Sequence, residues 1–337
     1  MTAAMVIDIH CHIMVPEVEQ RIEQVYSREQ IVANEPYDRY AGQPSREHNR
    51  SIFPELIPKL TEPERRLRDM DRMGVDIQAL ATFVSQLYYW TDAELGAELA
   101  RLQNDRLGEI VSDHPDRFVA LGTVPMQDTV RAVAELERIM ADPVFHGVQI
   151  STNVAGRDLD DPRFGPFFAA AERLGAAILM HPNGFTEGCR FADYYMVNVV
   201  GNPLDSTIAL TRLIFGGVLA SHPNLKLCVV HGGGYLPTYS ARMDHAFEVR
   251  PECRLHIDRP PSSYLRRVRV DTMVFSPRAL RHLIDAVGTP MVLLGTDYPF
   301  DMGETDPRGL IRSVEGLTDD DVAAICGANS ARFLAME

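Results

Sequence analysis

Long uncharged apolar runs are missing from this 337-residue chain, and so are paired cysteine motifs. No stretch approaches the roughly 18 apolar residues of a membrane-spanning helix, so no membrane partner is expected. The five cysteines (Cys11, Cys189, Cys228, Cys253 and Cys326) are scattered, odd in number and without CxxC spacing. That excludes a disulfide framework and points to reduced thiols in the cytoplasm. Basic charge is also short, with 33 Lys and Arg against 47 Asp and Glu, a net of −14. Such a surface repels polyanions, which excludes nucleic acid as a main partner but leaves room for one basic cleft that takes a small carboxylate. Residues 1–13 show no basic n-region, so no secretory leader is expected. Low-complexity tracts and inter-domain linkers are absent too, and 45% apolar with 24% charged residues is a globular balance. One domain over 1–337 is the expectation.

What is present is a rhythm. Short apolar runs occur at 5–8 (MVID), 75–82, 118–125, 146–151, 176–180 (AAILM), 226–230 (KLCVV), 268–272 and 291–295 (MVLLG). They are near-continuous rather than alternating, as suits parallel strands buried on both faces. Helical patterns fall between them at 92–113, 129–141, 163–174, 203–220, 236–248 and 277–287, several starting after Thr, Asp or Pro. Eight strands alternating with helices predict an α/β fold, a (β/α)8 TIM-like barrel, over an open doubly wound sheet. Residues 15–60 break the rhythm, with several prolines and one modest helical stretch near 18–25. They read as an insertion after the first strand, lying over the barrel mouth where such loops shape substrate pockets.

Chemistry-bearing residues gather at the ends of these runs. His10 and His12 close the first strand two positions apart, so they share a side while Cys11 faces away. His181 follows AAILM in HPNG, His231 follows KLCVV in HGGG, and Asp297 follows MVLLG in GTDYPF. A lone histidine at such a place is more often a hydrogen-bonded core residue. Five imidazole or carboxylate groups at four strand ends, where barrel enzymes assemble their sites, favour a metal. Three imidazoles and a carboxylate suit zinc or a similar divalent ion with one open position.

Taken together, Asp-x-His-x-His, His-Pro, His-Gly-Gly-Gly and Gly-Thr-Asp-Tyr-Pro-Phe resemble the amidohydrolase superfamily. The similar branch is that of the aminocarboxymuconate semialdehyde, resorcylate and carboxyvanillate decarboxylases. The likeness is densest over 203–303 and extends to Arg242-Met243-Asp244 and to the RPPSSY run at 259–264. The resemblance implies that His10, His12, His181 and Asp297 hold one metal ion, with zinc the first choice and manganese or iron the alternatives. It makes His231 the acid–base residue beside the ion, a role that an imidazole can fill near neutrality. No lysine stands at a strand end to form a carbamate bridge, so a single metal is expected. By the same resemblance Arg242 reaches the substrate carboxylate in a neighbouring subunit, which implies a homodimer, and Arg50 is a second candidate grip. Asn198 stands where that branch has a tryptophan (the only one here is Trp90), so the pocket wall differs.

The activity implied is non-oxidative decarboxylation of a small unsaturated or aromatic carboxylic acid. A metal-dependent hydrolase or hydratase acting on a lactone, an amide or an unsaturated acid is the alternative. The remaining histidines, His48, His114, His146, His222, His245, His256 and His282, are read as structural or surface groups.

Overall fold

The computed structural model describes residues 5–185 and 187–336; residues 1–4, part of the stretch read for a secretory leader, lie outside them. Eight strands are consecutive neighbours in one sheet: β1 Ile7–Ile13, β2 Ile77–Thr82, β3 Phe118–Gly122, β4 Phe145–Ser151, β5 Ala177–His181, β6 Lys226–Val229, β7 Arg269–Asp271 and β8 Val292–Leu293. Every adjacent pair is parallel. The chain beyond β8 closes the circle on β1, with Ile9 N donating to Leu294 O at 2.9 Å, Asp297 N to His10 O at 2.8 Å and His12 N to Tyr298 O at 2.8 Å. The predicted barrel is therefore the observed one.

Side chains sort into two shells. Cys11, Leu80, Val148, Ile150 and Met180 point outward and pack against helix residues such as Leu107, Leu136 and Phe167. Ile7, Ile9, Ala79, Ala81, Leu121, Leu179, Cys228 and Leu293 fill the inside, where Phe333 and Leu334 of the helix Asn329–Leu334 join them. Continuous Val, Ile and Leu runs are what a sheet covered on both faces requires.

Several elements differ from the sequence reading. Residues 16–61 hold four helices rather than one: α1 Pro16–Glu23, α2 Arg28–Asn34, α3 Pro36–Tyr40 and α4 Gln43–Thr61. The prolines that suggested loop mostly start these helices, where a missing N–H costs nothing; Pro54 and Pro58 lie inside α4. A fifth helix, α5 Pro63–Met73, precedes β2. The helix expected over 203–220 is two, Asn202–Phe215 and Val218–Ser221, broken at Gly216 and at Gly217, whose φ is +77°. No helix among the described residues is long and apolar enough to cross a membrane. The five cysteines form no disulfide.

Candidate metal centre

β1 carries a bulge. Asp8 pairs with Gln78 but Cys11 pairs with Leu80, so three steps on β1 face two on β2. The extra residue reverses parity within the strand. Ile7 and Ile9 point into the barrel below the bulge, while above it His10 and His12 do so and Cys11 faces the helices. Asp8 fastens this kink. Its carboxylate accepts from His10 N at 3.1 Å, Gln78 Nε2 at 2.9 Å, Thr296 N at 3.1 Å and Thr296 Oγ1 at 2.6 Å. Burial pushes Asp8 up to about 6, with the bonds from Thr296 and Gln78 opposing the rise.

His10, His12, His181 and Asp297 are all buried, and their candidate ligand atoms lie within 4.8 Å of one another. His10 Nε2 and His12 Nε2 face each other at 3.2 Å, and Asp297 Oδ1 lies 3.4 Å and 3.1 Å from them. Two imidazole nitrogens at that separation need a shared proton or a shared cation. His181 Nδ1 donates to Pro182 O at 2.6 Å, which leaves Nε2 as a bare lone pair, and that atom is buried without a partner among the described residues. A buried lone pair aimed into such a cluster is suited to a cation. The donor set, three imidazoles and a carboxylate, fits one divalent cation.

The electrostatics agree. Burial, with the neighbouring imidazoles, drives His181 well below the ordinary imidazole value, and burial lowers His12 as well. Burial alone would raise Asp297, yet His10, His12 and His231 hold it far below the usual carboxylate range. His10 is the exception: burial pulls it down, but Asp297 and Asp271 outweigh that and raise it.

Asp271, at the end of β7, is a site residue that the sequence reading passed over. Its Oδ2 meets His10 Nδ1 at 2.6 Å, and its Oδ1 accepts from Gly232 N at 2.8 Å and Met273 N at 3.2 Å. A carboxylate behind a metal-facing imidazole fixes ring and tautomer, aiming Nε2 at the cluster. The signal was available: an acid at a strand end (VRVDT) whose neighbours are apolar.

His231 stands beside the four. Its Nε2 is 3.6 Å from Asp297 Oδ2, its ring centroid is 5.1 Å from those of His10 and His181, and its Nδ1 is buried without a partner. The backbone there is left-handed, with φ +55° at His231, and the three following glycines all have positive φ. Gly234 admits nothing larger, since a Cβ would sit 2.3 Å from Pro203 O. Asp297 is left-handed too, at φ +54°. Phe83 and Phe300 wall the site next to His12, at ring-centroid distances of 6.5 Å and 5.3 Å.

The three candidate substrate residues are not part of this cluster. Arg242 and Arg50 are exposed and Asn198 is half-buried, in the π-helical turn Val197–Gly201. Among the described residues none of them bonds to the five strand-end groups. Two contacts of the 15–60 segment do approach the site loops. Glu35 accepts from Asn183 Nδ2 at 2.8 Å and from Trp90 Nε1 at 2.5 Å, and His48 Nε2 meets Asp301 Oδ2 at 2.9 Å.

Comparison with known proteins agrees with this geometry. The 2-amino-3-carboxymuconate-6-semialdehyde decarboxylase of Dictyostelium discoideum is 34% identical over 98% of this chain and 92% of its own. The gamma-resorcylate decarboxylase of Rhodococcus jostii is 26% identical over 70% of this chain and 77% of its own. The crystal structure of 5-carboxyvanillate decarboxylase from Sphingomonas paucimobilis superposes with a TM-score of 0.85 at 27% identity, covering 99% of both chains. The amidohydrolase family model matches residues 7–336, and the chain belongs to that family.

Proposed function

We propose that this protein is a metal-dependent carboxy-lyase that removes CO2, without oxidation, from a small unsaturated or aromatic carboxylic acid. The observation that carries the reading is the buried group His10, His12, His181 and Asp297 with His231 beside it, in a chain similar to the semialdehyde and gamma-resorcylate decarboxylases. The four would hold one divalent ion, zinc by the chemistry of the donor set, with manganese or iron as the other outcomes of metal analysis. When bound, the ion supplies Lewis acidity that draws electron density from the substrate.

The chain's own residues do the rest. Breaking the bond between the carboxylate and its carbon leaves an electron pair on that carbon, which needs a proton. His231, with its Nε2 3.6 Å from Asp297 Oδ2 at the edge of the site, is the group placed to deliver that proton. Phe83 and Phe300 offer flat apolar walls for an unsaturated or aromatic skeleton. By the same resemblance Asn198 would replace a bulkier ring in the pocket wall.

Arg242 and Arg50 are the proposed grips for the substrate carboxylate, and Arg242 would act across a homodimer. Its helix Leu236–Val249 supports this in part: Leu236 and Met243 are buried against the chain's own barrel, but Tyr239 is 59% exposed beside Arg242. Mixing Arg242→Ala with His231→Ala subunits tests it, because exchange rebuilds one intact site per heterodimer. No recovery despite exchange sinks the shared site. The 15–60 segment, fastened by Glu35 and His48, covers the mouth of a single domain, and the unpaired cysteines suit the cytoplasm.

Metal analysis followed by CO2 release from a panel of unsaturated and aromatic acids tests the whole reading. Ring opening of lactones or hydration of unsaturated acids without CO2 release would replace it with the hydrolase or hydratase alternative.

A further inference from the structure

α5 buries a charge that the site chemistry does not use. Arg66 is 1% exposed and is among the largest fully buried side chains. A buried guanidinium is costly unless its donors are satisfied and an opposite charge is near. Its direct partners are neutral. Nη1 donates to Gln78 Oε1 at 3.0 Å, and Nη2 donates to the carbonyls of His12 and, at 3.3 Å, of Lys59. The guanidinium carbon lies 4.8 Å from the centre of the Tyr298 ring. The anion comes one step later, because Gln78 Nε2 donates in turn to Asp8 Oδ2 at 2.9 Å.

All of these groups but the Lys59 carbonyl lead to a proposed ligand. The His12 carbonyl belongs to a ligand. Tyr298 follows Asp297 in the chain, and its carbonyl accepts from His12 N at 2.8 Å. Asp8, reached through Gln78, holds His10 N and also Thr296, the residue before Asp297. One planar fork thus braces the end of β1 against the turn after β8, the seam where His10, His12 and Asp297 meet. Lys59 O ties the end of α4 to the same point. A compact ammonium cannot reproduce this, because the donors must diverge in one plane.

We propose that Arg66 is a positioning residue of the metal centre, holding His10, His12 and Asp297 in ligating register through the His12 carbonyl, the Tyr298 ring and the Gln78–Asp8 relay. The proposal rests on the metal reading of the four-residue cluster. An arginine that served stability alone would be replaceable by an apolar side chain of similar length without consequence for the cluster.

The test measures the dissociation constant for Zn²⁺ by chelator competition in the wild type, Arg66→Met, Arg66→Lys and Gln78→Met, with thermal melts of each metal-free protein alongside. The outer-sphere partners of metal sites set the scale of the expected effect, about 10–100-fold weaker binding. Arg66→Met is expected at the upper end, Arg66→Lys between it and the wild type, and Gln78→Met weakest, since only the relay is cut. Should Arg66→Met fail to fold, Arg66→Lys and Gln78→Met carry the comparison. Folded variants that bind Zn²⁺ as tightly as the wild type, whatever their melting temperatures, overturn the positioning role and leave the metal reading intact. A wild type that binds no divalent ion overturns both.

Discussion

The two ends of the barrel interior are built on opposite terms. The floor is mainly apolar: Ile7, Ile9, Leu179, Cys228, Val230 and Leu293 close on Phe333 and Leu334. The polar contacts at its edge, His146 Nδ1 to Leu334 O at 2.6 Å and Arg269 over the Phe333 ring, are with that last helix. A few residues higher the same strands lead to His10, His12, His181 and Asp297, with buried nitrogens of His12, His181 and His231 left without partners among the described residues. The floor is close-packed around its apolar side chains. The mouth holds buried polar atoms that the described residues do not all satisfy, so it gives up stability for a binding function. Substitution at the floor should therefore change folding and leave chemistry alone, and substitution at the mouth should do the reverse.

The largest effect separates the two ends most sharply. His10→Ala removes a ligand and should abolish metal binding and turnover while the protein stays folded, as metal analysis and circular dichroism will show. Stoichiometric metal with near-normal turnover in that variant would remove His10 from the coordination set. His231→Ala should keep its metal and lose roughly 10²–10⁴ in turnover, the usual share of a placed acid–base group. Loss of metal there would make His231 a ligand, and unchanged turnover would take it out of the reaction.

Leu179→Ala probes the floor. A leucine fully buried among apolar neighbours should cost about 2–5 kcal/mol of stability in denaturant unfolding. The metal affinity of the folded fraction should not move; a parallel loss of affinity would join the two ends that the comparison separates. Asp271→Asn lies at the boundary. It keeps the volume but loses the charge that orients His10 Nδ1, and should weaken metal binding by about 10–100-fold with little change in unfolding.

The smallest effect concerns the segment over the mouth. Burial pushes Glu35 up to about 8 against its ordinary 4.5, although its bonds with Trp90 and Asn183 oppose the shift. A carboxyl whose folded value is raised gives its full stabilising share below the unfolded value and loses it as pH rises through the folded one. Wild-type stability should therefore fall between pH about 4.5 and 8 relative to Glu35→Gln, which cannot ionise. Parallel pH profiles of the two proteins would show that Glu35 is ionised throughout.

Strand positions were legible because a strand covered on both faces must be a continuous apolar run, and seven of the predicted runs coincide with observed strands to within a few residues. The first is longer than expected, since buried polar residues extend it to Ile13. Helices α2 to α4 were not legible. They are short or proline-containing, with only Ile31 and Leu60 buried among them, so the apolar spacing that marks a helix is missing.

The sequence by itself determined the barrel and the five polar residues at its strand ends, because both follow from local rules: which runs can be buried on two faces, and where a barrel strand must stop. Tertiary structure alone decided how those residues are aimed. The bulge that turns His10 inward appears only when β1 is laid on β2, and Asp271 finds His10 across 261 positions of chain. Arg66 reads as an ordinary surface arginine until folding places it beneath His12 and Tyr298. Periodicity reports the side of an element that a residue occupies, whereas the partner it meets there depends on closure of the whole barrel.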